Sequence, residues 1–215
     1  MSDFFAGLCV GAAEVTVGHP FDTAKVLLQN NRPWWGLSLS KYYKGWKFPL
    51  VASSMYNFTV FPVYERTLTF THNSFISGAL AGFVVTPIIF GFEVGKIYQQ
   101  TNQSLKPRDF YKSKGIQMLY TREIIAMSTY FGMYNYCRER DLHPLISGGC
   151  AGLANWTLTY PLDVIKTRQI AQQVSVKEAI IMGNLWKGYS LCAVRAVLVN
   201  AINFWVYEKK KKNLY

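Results

Sequence analysis

Three stretches of this chain can be laid over one another, and that repetition limits the folds open to it more than any other feature. They are FAGLCVGAAEVTVGHPFDTAKVLLQ (5–29), ISGALAGFVVTPIIFGFEVGKIYQQ (76–100) and ISGGCAGLANWTLTYPLDVIKTRQI (146–170). Each opens on a G-x-x-x-G pair: Gly7/Gly11, Gly78/Gly82 and Gly148/Gly152. Eleven residues past the second glycine stand Asp22, Glu93 and Asp163, and three further on stand Lys25, Lys96 and Lys166. The pattern returns about every 70 residues. A second set lies between these copies: YKGWKFPLVASSMYNFTVFPVYE (43–65), SKGIQMLYTREIIAMSTYFGMYNY (113–136) and WKGYSLCAVRAVLVNAINFWVYE (186–208). All three open on Lys-Gly and end in a Tyr-rich turn.

Six apolar segments, two per repeat, predict an all-α membrane protein. Its six transmembrane helices form three tandem helix-pair repeats with pseudo-threefold symmetry around a central cavity. The expected boundaries are 1–71, 72–141 and 142–215 within a single transmembrane domain. Parallel repeats of this kind are a plan used by transporters, with the site near the bilayer midplane. Composition agrees: 50% of residues are hydrophobic and only 16% charged, yet the formal charge is +11. An apolar chain with that charge points to acidic lipid or an anionic solute rather than to a nucleic acid polymer. Cys9, Cys137, Cys150 and Cys192 show no metal-ligand spacing and no disulfide framework. No nucleophile–His–acid constellation, phosphate loop or metal cluster is legible, so no enzyme, cofactor or metal is expected. The start MSDFFAGL lacks an Arg-rich amphipathic segment, so an organelle address is expected inside the mature chain.

A charge at the bilayer centre costs about 2.5–3.5 kcal/mol on insertion scales, so it survives there only if paired or hydrated. Three acids and three bases at one level of a threefold bundle can pair between helices. The motifs GHPFDTAK (18–25) and YPLDVIK (160–166) resemble the signature of the mitochondrial carrier family, and the resemblance runs over nearly the whole chain. It implies solute exchange across the mitochondrial inner membrane by alternating access, in a multi-pass and monomeric protein. It also implies a matrix gate in which Asp22 meets Lys96, Glu93 meets Lys166 and Asp163 meets Lys25. Gln29 and Gln100, one turn past their lysines, would brace two pairs, while Ile170 leaves the third without a brace. Repeat 2 departs from the family: Gly91 holds the place of Pro20 and Pro161, and Pro87 comes a turn early. Repeats are also shorter than the family's, mostly in the connectors on the motif side.

The family's second gate, at the ends of the even helices, is reduced. Tyr207-Glu208-x-x-Lys211 is complete, Glu65 lacks its base, and Arg138 lacks its acid, so a weak cytoplasmic gate and a cytosol-facing resting state are expected. The turns at Lys44-Gly45, Lys114-Gly115 and Lys187-Gly188 resemble the family's cardiolipin sites, where helix N-terminal N–H groups meet phosphate. Seven residues after each of these glycines stand Ala52, Arg122 and Arg195, positions that face substrate in the family. The Arg122-Glu123 pair resembles carriers of amino acids and related zwitterions, in which each charge takes one end of the substrate, while VGHPFDTAKV (17–26) and VRAVLVNAINFWVYE (194–208) resemble the carnitine and basic amino-acid branch. Glu14, Tyr56 and Asn57 are further candidates for the cavity wall. A nucleotide carrier, and an adaptor that no longer transports, are the alternatives.

Overall fold

The structure is a computed structural model that describes residues 2–104, 106–196 and 198. The described residues are helical, without strands. Five long helices run α1 (Ser2–Gln29), α3 (Lys47–Thr71), α4 (Ser74–Gln100), α6 (Ile116–Arg138) and α7 (Pro144–Gln172). Three short ones, α2 (Leu39–Tyr42), α5 (Asp109–Lys112) and α8 (Val176–Ile181), lie in the connectors on the motif side. A further helix begins at 189 and is described through 196. The segment 199–215, with Asn203, Glu208 and Lys211, lies outside the described residues.

Local chemistry sets the element ends. Asn73 caps α4 by accepting from the N–H groups of Phe75 and Ile76. Ser175 and Glu178 form a capping box on α8, and the Ser175 N–H and hydroxyl hold the Glu178 carboxyl below its ordinary value. α1 and α4 close on Asn31 and Asn102, both left-handed (φ 56° and 54°). There Arg32 N–H reaches back to Leu27 O and Gln103 N–H to Tyr98 O, the six-to-one bond of a Schellman turn. The chain re-enters the even helices through Gly45, Gly115 and Gly188, all at positive φ (80°, 109° and 90°), where a side chain would be strained. Pro20, Pro87 and Pro161 all sit inside continuous helices. The shifted Pro87 therefore does not break α4.

The glycine pair of α4 marks a close helix crossing. A Cβ on Gly78 would lie 2.4 Å from Met127 O, and one on Gly82 2.4 Å from Glu123 O, so α4 and α6 cross backbone to backbone. Gly148 and Gly152 meet nothing within 4 Å among the described residues. Gly82→Val is accordingly expected to lower the midpoint of thermal unfolding in detergent by several degrees or to abolish folded yield.

Polarity is turned outside in. Phe58, Phe83, Leu153 and Leu158 project from the long helices at 85%, 55%, 65% and 58% exposure, while Asp163, Lys166 and Glu123 are buried. Among the described residues α4 alone is long and apolar enough to cross a membrane by composition (mean hydropathy 2.0).

Candidate functional site: a closed charge ring lining a small polar cavity

The second halves of α1, α4 and α7 each carry an acid and a base three residues apart, hence on one helix face. The three faces meet. Lys96 Nζ lies 2.9 Å from Asp22 Oδ2, Lys166 Nζ 2.8 Å from Glu93 Oε2, and Lys25 Nζ 2.7 Å from Asp163 Oδ2. Each base thus reaches the acid of a neighbouring repeat, and the ring is closed.

The ring is unequal. Asp163 gathers Lys25, its own Lys166 at 3.1 Å, and Arg122 of α6 at 4.0 Å. Asp22 gathers Lys96 and Arg195, whose Nε stands 2.9 Å away without directing its N–H at the oxygen. Glu93 has Lys166 alone and is the most exposed ring acid, at 26% against 16% and 6%.

The two glutamines part company. Gln29 Nε2 reaches Asp163 Oδ2 and Tyr160 OH, both at 3.4 Å. Gln100 Nε2 instead donates to Thr23 Oγ1 at 3.1 Å and touches no ion pair, a departure from the two braces expected. The reason is reach: Thr23 presents an acceptor one residue past Asp22, closer to the end of α4.

Around the ring is a cavity of about 170 Å³. Its wall brings together Arg122, Glu123 and Arg195 with the ring charges, five cations against four anions. Arg122 bonds Glu123, whose other oxygen accepts from Tyr56 OH at 3.1 Å. Tyr56 OH also lies 3.0 Å from Met127 Sδ. The close crossing at Gly82 is what brings this turn of α6 to the axis.

Other candidates are not brought in. Ala52 is half-buried and does not line the cavity, and Asn57 is exposed on α3, rotated away from Glu123. Glu14 lies on α1 two turns before Asp22, and its side chain is outside the described residues. At the other end of the bundle Glu65 is exposed, and Arg138 donates to Leu142 O at 2.7 Å. No ion pair forms there among the described residues.

Trp156 was not singled out by sequence. Its ring lies 4.7 Å from Lys25 Nζ and 5.2 Å from Arg122 Cζ, so it forms one wall of the cavity and a cation–π platform. It occupies the register of Val15 and Thr86, and this break in the repeat was the available signal.

Residues 139–183 match the model of the mitochondrial carrier protein family. Human solute carrier family 25 member 45 is 26% identical over 281 residues, covering 97% of each chain. The mitochondrial arginine transporter of Arabidopsis thaliana is 27% identical over 272 residues, covering 99% of this chain and 91% of the relative. The mitochondrial basic amino acids transporter of Rattus norvegicus is 31% identical over 214 residues, covering 77% of this chain and 70% of the relative. The chain belongs to the mitochondrial carrier family, whose members are transporters and not enzymes. The alignment to the human relative is longer than this chain, 281 against 215 residues, so the relative carries residues this one lacks.

Proposed function

We propose that the chain is a multi-pass protein of the mitochondrial inner membrane that exchanges an amino-acid-like or carnitine-like solute by alternating access. In this reading six helices in three repeats (1–71, 72–141, 142–215) surround the cavity, and the charge ring is the closed matrix gate. The outward apolar residues Phe58, Phe83, Leu153 and Leu158 then face lipid, and the buried charges face the pathway. The observation that carries the substrate class is the Arg122–Glu123 pair on the cavity wall, beside Arg195 and a surplus of one positive charge. A zwitterion replaces that pair with its own carboxylate and cationic nitrogen, so no charge is stranded during exchange.

Three further parts belong to the same reading. The Lys-Gly turns take anionic headgroups, cardiolipin foremost. The protein works as a monomer. The far gate, with Glu65 and Arg138 apart, is weak, so the carrier rests open to the cytosol.

Uptake by proteoliposomes tests the function. Internal arginine or lysine should drive uptake of labelled arginine, and carnitine should compete if the cavity reads only the zwitterion. Exchange of nucleotides without amino acids would overturn the substrate assignment, and purified protein that exchanges nothing would favour an adaptor.

A further inference from the structure

Two buried polar side chains beside the ring make contacts that the ion pairs do not account for. His19 and Tyr160 each stand three residues before a ring acid and directly before a helix proline. Their exposures are 1% and 0%. Both reach the same kind of acceptor: His19 Nε2 donates to Lys44 O at 2.9 Å, and Tyr160 OH donates to Lys187 O at 3.1 Å. Each carbonyl belongs to the Lys-Gly turn of the donor's own repeat.

The other side of each turn leans on the neighbouring repeat. Lys44 Nζ donates to Asn102 Oδ1 at 2.6 Å, and a Cβ on Gly45 would stand 3.4 Å from Lys96 O. Lys187 Nζ donates to Asn31 Oδ1 at 2.5 Å, and a Cβ on Gly188 would stand 3.6 Å from Lys25 Cγ. The helices joined through these turns are α1 with α4, and α7 with α1. They are the same helices whose charges pair as Asp22–Lys96 and Asp163–Lys25.

We propose that His19 and Tyr160 are positioning residues of the matrix gate, each fastening a Lys-Gly turn as a strap across the helix pair whose charges it overlies. The proposal rests on reading the charge ring as that gate. Parting the helices then breaks a strap as well as an ion pair.

Repeat 2 supplies an internal contrast. Phe90 holds the equivalent place and has no donor, and Lys114 O accepts from Ser113 Oγ at 3.3 Å instead. The α4–α7 seam is joined through Gln173, which accepts from Lys114 N–H and donates to Tyr98 OH, both at 3.2 Å. Gly115 packs on α7 as the other two glycines pack on their neighbours, a Cβ there lying 2.8 Å from Ile170 Cγ1, but its turn has no donor from its own repeat's odd helix. Glu93, the most exposed ring acid, lies at this seam.

The test uses the full chain in inner-membrane vesicles of either orientation. Thr167→Cys, one residue beyond Lys166, is the reporter after the native cysteines are replaced by serine, and a membrane-impermeant maleimide labels it. Tyr160→Phe and His19→Ala should each raise matrix-side labelling about fivefold, the population shift that one neutral hydrogen bond carries. Cytosol-side labelling should fall. His19→Gln keeps an N–H donor and should stay near the parent. Lys96→Ala is the reference for the gate itself. If Lys96→Ala raises matrix-side labelling and the other two do not, the straps are overturned and the gate stands. If Lys96→Ala changes nothing, the gate reading falls and the straps fall with it. A rise from both sides means general loosening and overturns the positioning role.

Discussion

Arg122→Ala lowers exchange of an amino-acid substrate in proteoliposomes by about a hundredfold or more. Arg122 is the largest single lever in the cavity because Glu123 depends on it and two further groups stand against it. It bonds Glu123, which is buried to 2%, stands 4.0 Å from Asp163, and stacks on Trp156. Truncating one partner of a buried, hydrogen-bonded charge pair costs about 2–5 kcal/mol, mostly because the other charge stays behind unpaired. Arg122→Lys keeps the charge but not the planar fork, so it should recover part of the rate and not all of it. Initial rates at saturating substrate measure this. An Arg122→Ala carrier that exchanges within threefold of the parent would remove Arg122 from the substrate site.

The ring acids should rank Asp163, Asp22, Glu93 when each is changed to its amide. Asp163→Asn leaves Lys25, Lys166 and Arg122 around a neutral group at 6% exposure. Breaking a buried pair in that way costs about 3–5 kcal/mol, which for a chain of this size is about 10 °C or more in the unfolding midpoint. Asp22→Asn strands Lys96 and Arg195, which are better hydrated. Glu93→Gln frees Lys166, but Lys166 still holds Asp163 at 3.1 Å, so the loss should be the smallest of the three. Thermal unfolding of the purified variants in one detergent decides the order. Glu93→Gln as the most damaging change would show that the ring does not share its charges as the distances indicate.

Much of this site was legible before any coordinates. A three-residue spacing places acid and base on one helix face whatever the helix packs against, and the repeat puts three such faces at one level. The count from the Lys-Gly glycines gave Ala52, Arg122 with its neighbour Glu123, and Arg195, of which all but Ala52 line the cavity. What register could not supply was direction of reach. Gln29 and Gln100 occupy equivalent positions, yet one turns to Asp163 and the other to Thr23. The three G-x-x-x-G pairs read alike, but among the described residues Gly78 and Gly82 meet a facing backbone and Gly148 and Gly152 do not. Asn57 adjoins Tyr56 in sequence and points elsewhere, as neighbours about 100° apart on a helix do.

Sequence by itself determined the family and which charges share a level, because helical periodicity and recurring motifs are properties of the chain alone. Tertiary structure decided that Arg122 and Arg195 lean on the ring acids, that Trp156 walls the cavity, and that His19 and Tyr160 find the Lys-Gly carbonyls. These contacts span only a few ångströms between helices, so they depend on helix rotation and separation. Both are set by packing between segments far apart in sequence, as where Gly82 admits the backbone of Glu123.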